Sequence, residues 1–179
     1  MKWKFATEGE RRFEAKGLHG LQPKNQTIAD PFDVFLSSPV VANGAVYFGS
    51  GDGNLYALDS ATGDLRWKFK AGDVVHASPA LAGDVVFIGV LNGTLEARDA
   101  KTGELLWDFQ VETSKQNTGW VLTADRKFNT PFLFHSSWRE SPLLANDQQI
   151  RIGGIFSSLL VVNGVVYFGS ADGFLYAME

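Results

Sequence analysis

A repeat of 40 residues constrains this chain more than any other feature. Ser38-Pro39 returns as Ser78-Pro79, Gly49 as Gly89, Asp59 as Asp99 and Trp67 as Trp107, each 40 positions on. Ser158, Phe168 and Tyr176 match Ser38, Phe48 and Tyr56 at three times that interval. Residues 37–71, SSPVVANGAVYFGSGDGNLYALDSATGDLRWKFKA, form one whole unit in which short apolar runs alternate with turns rich in Gly, Asn and Asp. Runs this short, rich in Val, Tyr and Phe, read as strands. A unit of this kind buries its apolar faces only by stacking on its neighbours, so the period predicts an all-β β-propeller with blades of four antiparallel strands and three repeat units per chain.

The turn chemistry explains where the strands reverse. Asn43-Gly44, Asp52-Gly53, Asn92-Gly93, Asn163-Gly164 and Asp172-Gly173 are expected to supply the positive φ angles of tight hairpins. The third turn of each unit differs. Asp59 and Asp99 stand four residues before Gly63 and Gly103, which places a carboxylate where it accepts backbone N–H groups inside the turn, a structural rather than catalytic role. Trp67 and Trp107 lie on fourth strands, where an indole wedges between blades; burying ~150–250 Å² stabilises by at most roughly 4–6 kcal/mol.

Strand counting gives the layout. Residues 1–6, built around Trp3 in Lys-Trp-Lys-Phe, resemble Arg66-Trp67-Lys68-Phe69 and read as a closing fourth strand. Residues 7–36 are a long loop, 37–71 the first blade, 72–111 the second, 112–156 an insertion or degenerate half-blade, and 157–179 the first three strands of a third blade. Within the insertion, SPLLAND at 141–147 echoes SPVVANG at 38–44. Three units do not close a ring that typically needs ~4–8 blades, so a second chain is expected to complete it. If residues 1–7 of each chain finish the third blade of the other, every sheet edge is paired in a two-fold homodimer.

Charge and composition exclude several classes. The 16 basic and 20 acidic residues are mixed along the chain for a net charge of -4, so no basic surface for nucleic acid arises. No apolar run reaches the ~18 residues of a membrane span, and the opening segment lacks the apolar core of a signal peptide. Without cysteine there is no disulfide, thiolate nucleophile or cysteine metal site. His19, His76 and His135 are too scattered to pair as ligands. Ser38, Ser78 and Ser158 recur in every unit, which argues for a hydrogen bond within each blade. Gly49 to Asn54, GSGDGN, joins two strands and opens no helix, so it is a hairpin turn and not a phosphate loop.

These repeats, SPVVANGAVYFGS and GNLYALDSATGDLRWKF with their copies, closely resemble those of pyrroloquinoline-quinone-type propeller proteins, the quinoprotein-like superfamily, over about two-thirds of the chain. The resemblance implies either a quinone-dependent dehydrogenase or a non-catalytic relative such as the envelope lipoprotein that assists outer-membrane protein assembly. It also implies a cell-envelope location. Family dehydrogenases hold the quinone beneath adjacent cysteines and over a tryptophan, with calcium on a glutamate, an asparagine and an aspartate. None of those positions can be placed here, so no catalytic, cofactor or metal residue is carried over. The expectation is a non-catalytic binding or scaffold protein without cofactor; the alternative is a quinone- or sugar-binding oxidoreductase relic taking pyrroloquinoline quinone (PQQ) with calcium.

The working surface follows from strand direction. Every connection from a fourth strand to the next first strand emerges on one side of the ring, so both long interruptions share a face. From the first come Arg11, Arg12, Glu14, Lys16 and His19. From the second come Lys115, Gln116, Asn117, His135, Trp138 and Arg139. Charge, amide and aromatic groups together suit a protein or polar small-molecule partner.

Overall fold

The computed structural model describes residues 1–8, 37–129 and 151–179 in full, with the backbone of 12–14 and 27–29. Two four-stranded sheets and one three-stranded sheet carry the repeat. The first blade consists of β3 (Val40–Ala42), β4 (Ala45–Gly49), β5 (Asn54–Asp59) and β6 (Leu65–Lys70), each strand pairing antiparallel with the next. The second repeats it with β7 (Ala80–Ala82), β8 (Val85–Gly89), β9 (Thr94–Asp99) and β10 (Leu105–Gln110). The third stops at three strands, β11 (Leu160–Val162), β12 (Val165–Gly169) and β13 (Leu175–Met178). Before them, β1 (Arg12–Glu14) and β2 (Thr27–Ala29) form a hairpin within the first long connection.

Turn residues act as their types require, with one correction. Asn43 and Gly44 both take positive φ, as do Asn163 and Gly164, which matches hairpin turns to strand twist. At the second-to-third turns only Gly53, Gly93 and Gly173 do so. Asp52, Asn92 and Asp172 contribute through their side chains instead, each Oδ1 accepting the N–H two residues on at 2.9–3.1 Å. In the third turn Asp59 Oδ1 accepts from the N–H groups of Ala61 and Thr62, and Asp99 Oδ1 from those of Lys101 and Thr102. Arg66 then bonds Asp59 Oδ2 at 2.8 Å and, with the turn N–H groups, holds that carboxyl down at about 2.

Blades stack through two apolar layers. Val75, Val86, Ile88 and Val90 pack with Tyr47, Leu55 and Ala57 between the first and second blades. Phe87, Leu95, Ala97, Val111 and Ile155 pack with Leu159, Val166 and Phe168 between the second and third. Trp67 fastens the first of these layers, whereas Trp107 does not take the wedge position expected of it. Trp67 Nε1 donates to Ala100 O at 3.1 Å, and its ring lies so close to Gly103 that a Cβ there would stand 2.9 Å from Cε3. Trp107, on the other side of the second blade, is 37% exposed.

Residues 1–5 pair with no strand among the described residues; the closing-strand reading concerns the third blade of a second chain. Their side chains nonetheless keep the register of a rim strand. Trp3 Nε1 donates to Ser60 O at 3.2 Å, and its ring sits over Gly63 as that of Trp67 sits over Gly103. Phe5 meets Tyr56 edge-on at 5.5 Å, as Phe109 of the second blade meets Tyr176 of the third at 5.8 Å.

The serine reading needs correction too. The in-blade bond comes from Ser37, whose Oγ donates to Gly49 O at 3.1 Å and accepts Gly49 N–H at 2.6 Å, and from Ser157, which does the same with Gly169. Ser78 Oγ instead accepts the N–H of Ser38, tying inner strands of neighbouring blades.

The second long connection opens with the short helix α1 (Glu112–Gln116). Residues 117–129 then fold back through bridges from Leu122 to Thr118 and Phe128, and Val121, Leu122 and Ile152 make a small core of their own. The 141–147 echo lies outside the described residues.

Candidate binding face

Second-to-third turns and fourth-to-first connections meet on one side of the sheets: the N–H of Ala71 reaches Gly53 O at 2.9 Å, and that of Val111 reaches Gly93 O at 3.0 Å. Both long connections start there, and each is fastened to a turn of the blade that follows it. At the first, Tyr56 Oη donates to Asp52 Oδ2 at 2.6 Å. The N–H of Glu8 then points at both Asp52 Oδ2 and Tyr56 Oη, 3.1 Å from each. Asn54 Nδ2 donates to Glu8 Oε2 at 3.0 Å, and Lys68 Nζ to Glu8 Oε1. Lys68 and Asn54 hold the Glu8 carboxyl below the usual carboxylate range, while burial and then Asp52 push the Tyr56 phenol up to about 12.

At the second, Tyr176 Oη donates to Asp172 Oδ2 at 2.6 Å, and the hydroxyl of Thr113 reaches the same oxygen at 3.2 Å. Burial, then Asp172, pushes the Tyr176 phenol up to about 12. Burial alone would raise Asp172; the bonds from Tyr176, the Phe174 N–H, Ser170 and Thr113 outweigh it and keep the carboxyl low. The same connection grips the second blade: Ser114 Oγ donates to Asn92 O at 2.6 Å, and Asn92 Nδ2 donates to Arg126 O at 2.9 Å.

The second blade differs at the position of Tyr56 and Tyr176. Glu96 stands there, and its Oε2 accepts from Arg98 Nε at 2.8 Å. Both are buried, Arg98 at 1% exposure and Glu96 at 7%. Arg98 Nη1 donates to Gly103 O at 2.9 Å and its guanidinium lies 3.1 Å above the Phe69 ring of the first blade. Burial pushes Glu96 up and Arg98 down from their ordinary values, with each opposing the shift of the other.

Of the residues expected on the face, Lys115 and Gln116 project from α1. Lys115 lies 3.8 Å from Glu112 and 5.5 Å over the Phe109 ring, and Gln116 bonds Glu112 Oε1. Asn117 closes the helix by donating to Thr113 O at 2.8 Å, a structural task. Arg12 and Glu14 lie on β1, of which only the backbone is described. Arg11, Lys16, His19, His135, Trp138 and Arg139 lie outside the described residues.

Sequence reasoning missed the residues that fasten the face. A signal existed: Asp-Gly-x-Leu-Tyr occurs at 52–56 and 172–176, in the two units that follow a long interruption, whereas the unit after the short connection has Asn-Gly-x-Leu-Glu at 92–96. The chain has no cysteine, and among the described residues no three His, Asp or Glu side chains gather where a cation would bind.

Comparison with known proteins agrees with this geometry. A family model described as outer membrane protein assembly factor BamB matches residues 3–129. Among solved structures, BamB from Moraxella catarrhalis is 18% identical with a TM-score of 0.54, over 86% of this chain and 35% of its own. The quinohemoprotein alcohol dehydrogenase ADHIIG from Pseudomonas putida HK5 is 25% identical with a TM-score of 0.53, over 83% of this chain and 19% of its own. Sqt1 from Saccharomyces cerevisiae is 15% identical with a TM-score of 0.53, over 89% and 33%. The chain thus spans about a third of the length of the BamB it matches. No curated protein matches its sequence.

Proposed function

The chain belongs to the family of the outer membrane protein assembly factor BamB, and from that membership we propose that it is a non-catalytic binding and scaffold protein of the cell envelope, engaging a protein partner through the face that carries its two long connections. The observation that carries this reading is the rooting of both connections on the same side: Glu8 on the Asp52 turn, and Thr113 and Ser114 on the Asp172 and Asn92 turns. Fixing two long loops at defined points on a rigid sheet scaffold is how propellers and sandwiches present binding residues. Charge reversal at Arg11, Lys16 and Lys115 is expected to abolish partner capture while leaving the melting temperature unchanged. Loss of folding in that variant, or undiminished capture, overturns the reading.

The competing reading is an oxidoreductase relic, supported by the likeness to the alcohol dehydrogenase. Calorimetric titration with PQQ and calcium separates the two: we expect no saturable heat, and micromolar saturation would replace the scaffold reading. We also propose that two copies associate. The outer edge of β13 pairs with no strand among the described residues, Leu175 there is 78% exposed, and residues 1–5 carry the side-chain register of a rim strand. Such an edge templates strand addition. Light scattering should return about twice the 19.6 kDa of one chain, and a stable mass of 19.6 kDa would exclude the pairing.

A further inference from the structure

We propose that the third blade takes a second copy of this chain in one fixed register: residues 3–6 of that copy run antiparallel along β13, and its first blade stacks on the open face beside them. This deepens the pairing of two copies proposed above and rests on it. The repeat measures what is uncovered. Val40, Tyr47, Leu55 and Ala57 form the face on which the second blade packs, and Ala80, Phe87, Leu95 and Ala97 the face on which the third packs. The third blade has Leu160, Tyr167, Leu175 and Ala177 at those positions. Leu55 and Leu95 are 0% exposed, whereas Leu175 is 78% and Tyr167 36%. The opposite face of the first blade is short of cover in the same way. Val86 and Ile88, like Val166 and Phe168, are fully buried against the preceding blade, but Val46 and Phe48 at the same positions are only half-buried. These two faces are the two halves of one blade-to-blade contact, so each fits the other. The second blade is not the occupant, because its matching face already packs on the first blade and carries the buried pair Glu96 and Arg98 where the first blade has Tyr56 and Leu58.

Residues 1–5 already stand where this contact requires them. Against the first blade they hold the place that the fourth strand of one blade holds against the next: Trp3 bonds Ser60 O and covers Gly63, as Trp67 bonds Ala100 O and covers Gly103. A first blade that docks with this segment attached therefore delivers it to β13 without rearrangement. The complete blades set the register. Asn54 pairs with Lys70, Leu55 with Phe69 and Ala57 with Trp67; Thr94 pairs with Gln110, Leu95 with Phe109 and Ala97 with Trp107. The same positions put Ala6 of the second copy opposite Phe174, Phe5 opposite Leu175 and Trp3 opposite Ala177. Ala71 N–H to Gly53 O and Val111 N–H to Gly93 O end the two ladders, so Thr7 N–H of the second copy falls to Gly173 O. Since each copy offers both faces, two copies of three blades close a ring through two equal contacts, within the ~4–8 blades of known propellers, and neither sheet edge stays open.

The chain has no cysteine, so introduced thiols report the register alone. Ala6 and Phe174 are both exposed. The pairs they correspond to, Asn54–Lys70 and Thr94–Gln110, lie between ladder bonds, where Cα atoms are about 4.5 Å apart and a disulfide closes. Ala6→Cys with Phe174→Cys in one chain should, on mild oxidation, give a covalent species of twice 19.6 kDa. Lys4→Cys with Phe174→Cys is two residues out of register and should give about tenfold less. Equal yields, no cross-link, or a disulfide within a single chain overturns the proposal. As a second variant, Leu175→Glu should lower the light-scattering mass from twice to once 19.6 kDa with the circular dichroism of strands unchanged; an undiminished mass or a lost strand signal overturns it as well. Twice the mass without the 6–174 cross-link overturns this register and leaves the pairing of copies standing, whereas a single mass overturns both. Neither result bears on partner capture, which the charge-reversed face tests.

Discussion

Replacing Gly103 with alanine should destabilise the protein far more than the same change at Gly63, although the two glycines look alike locally. Gly103 has φ +79° and Gly63 φ +82°, so each alanine pays the left-handed penalty of about 1–2 kcal/mol. Each new Cβ also meets an indole: 2.9 Å from Trp67 Cε3 at Gly103, and 2.7 Å from Trp3 Cδ2 at Gly63. The difference lies in what holds the indole. Trp67 is on β6, paired along its length with β5 and packed against Tyr47 at 5.9 Å, so it cannot retreat without shifting the blade. Overpacking against such a group adds roughly 1–3 kcal/mol, for a total of about 2–5 kcal/mol at Gly103. Trp3 is on a segment paired with no strand and moves aside, which leaves only the backbone cost of about 1–2 kcal/mol at Gly63. Urea unfolding followed by circular dichroism, with the slope checked for constancy, measures both. Trp67→Ala combined with Gly103→Ala should recover the overpacking part, so the two changes should be non-additive by about 1–3 kcal/mol. Equal losses at Gly63 and Gly103, or additivity in the double variant, would refute the argument.

Ser37→Ala should cost about 1–3 kcal/mol because it strands both the N–H and the C=O of Gly49, whereas Ser38→Ala should stay within roughly 0.5 kcal/mol; urea midpoints decide. Arg98→Met alone should destabilise by about 3–5 kcal/mol by leaving Glu96 buried without its partner, while Glu96→Leu with Arg98→Met should lie near the parent, and a mild single variant would contradict the buried-pair account. Tyr56 and Tyr176 give an alkaline limb to stability. Their folded values, about 12, lie above the ordinary 10.0, so the protonated phenols stabilise fully below pH 10 and that contribution is lost as pH rises through about 12. Tyr56→Phe with Tyr176→Phe should flatten that limb. Asp59 works in the opposite direction: its folded value of about 2 lies below the ordinary 3.8, so its contribution is present above pH 3.8 and lost as pH falls through about 2. Asp59→Asn should remove that acid step from a pH titration of stability.

The architecture was legible in the chain itself because a repeat states its own geometry. Period, turn residues and the Asp-to-Gly spacing each act over a few residues, so Asn43-Gly44 and Asp59 with Thr62 could be assigned without knowing what lies across the blade. The resemblance of the repeats to quinoprotein propellers likewise pointed to the family the comparisons give. What escaped was everything that depends on which distant residue arrives where. Ser37, and not Ser38, closes the blade because side chains alternate across a strand, and only the fold says which of two adjacent serines faces Gly49. Residues 1–5 carry the side chains of a rim strand, but their pairing is decided by a neighbour that supplies the hydrogen bonds, which lies beyond their own sequence. Glu96 and Arg98 break an apolar pattern in one blade of three, and their burial under Phe69 follows from blade stacking, which sequence periodicity does not encode. The Asp52–Tyr56 and Asp172–Tyr176 pairs were visible as letters, but the bonds their carboxylates accept from Glu8 and Thr113, 44 and 59 residues away, are set by the fold alone.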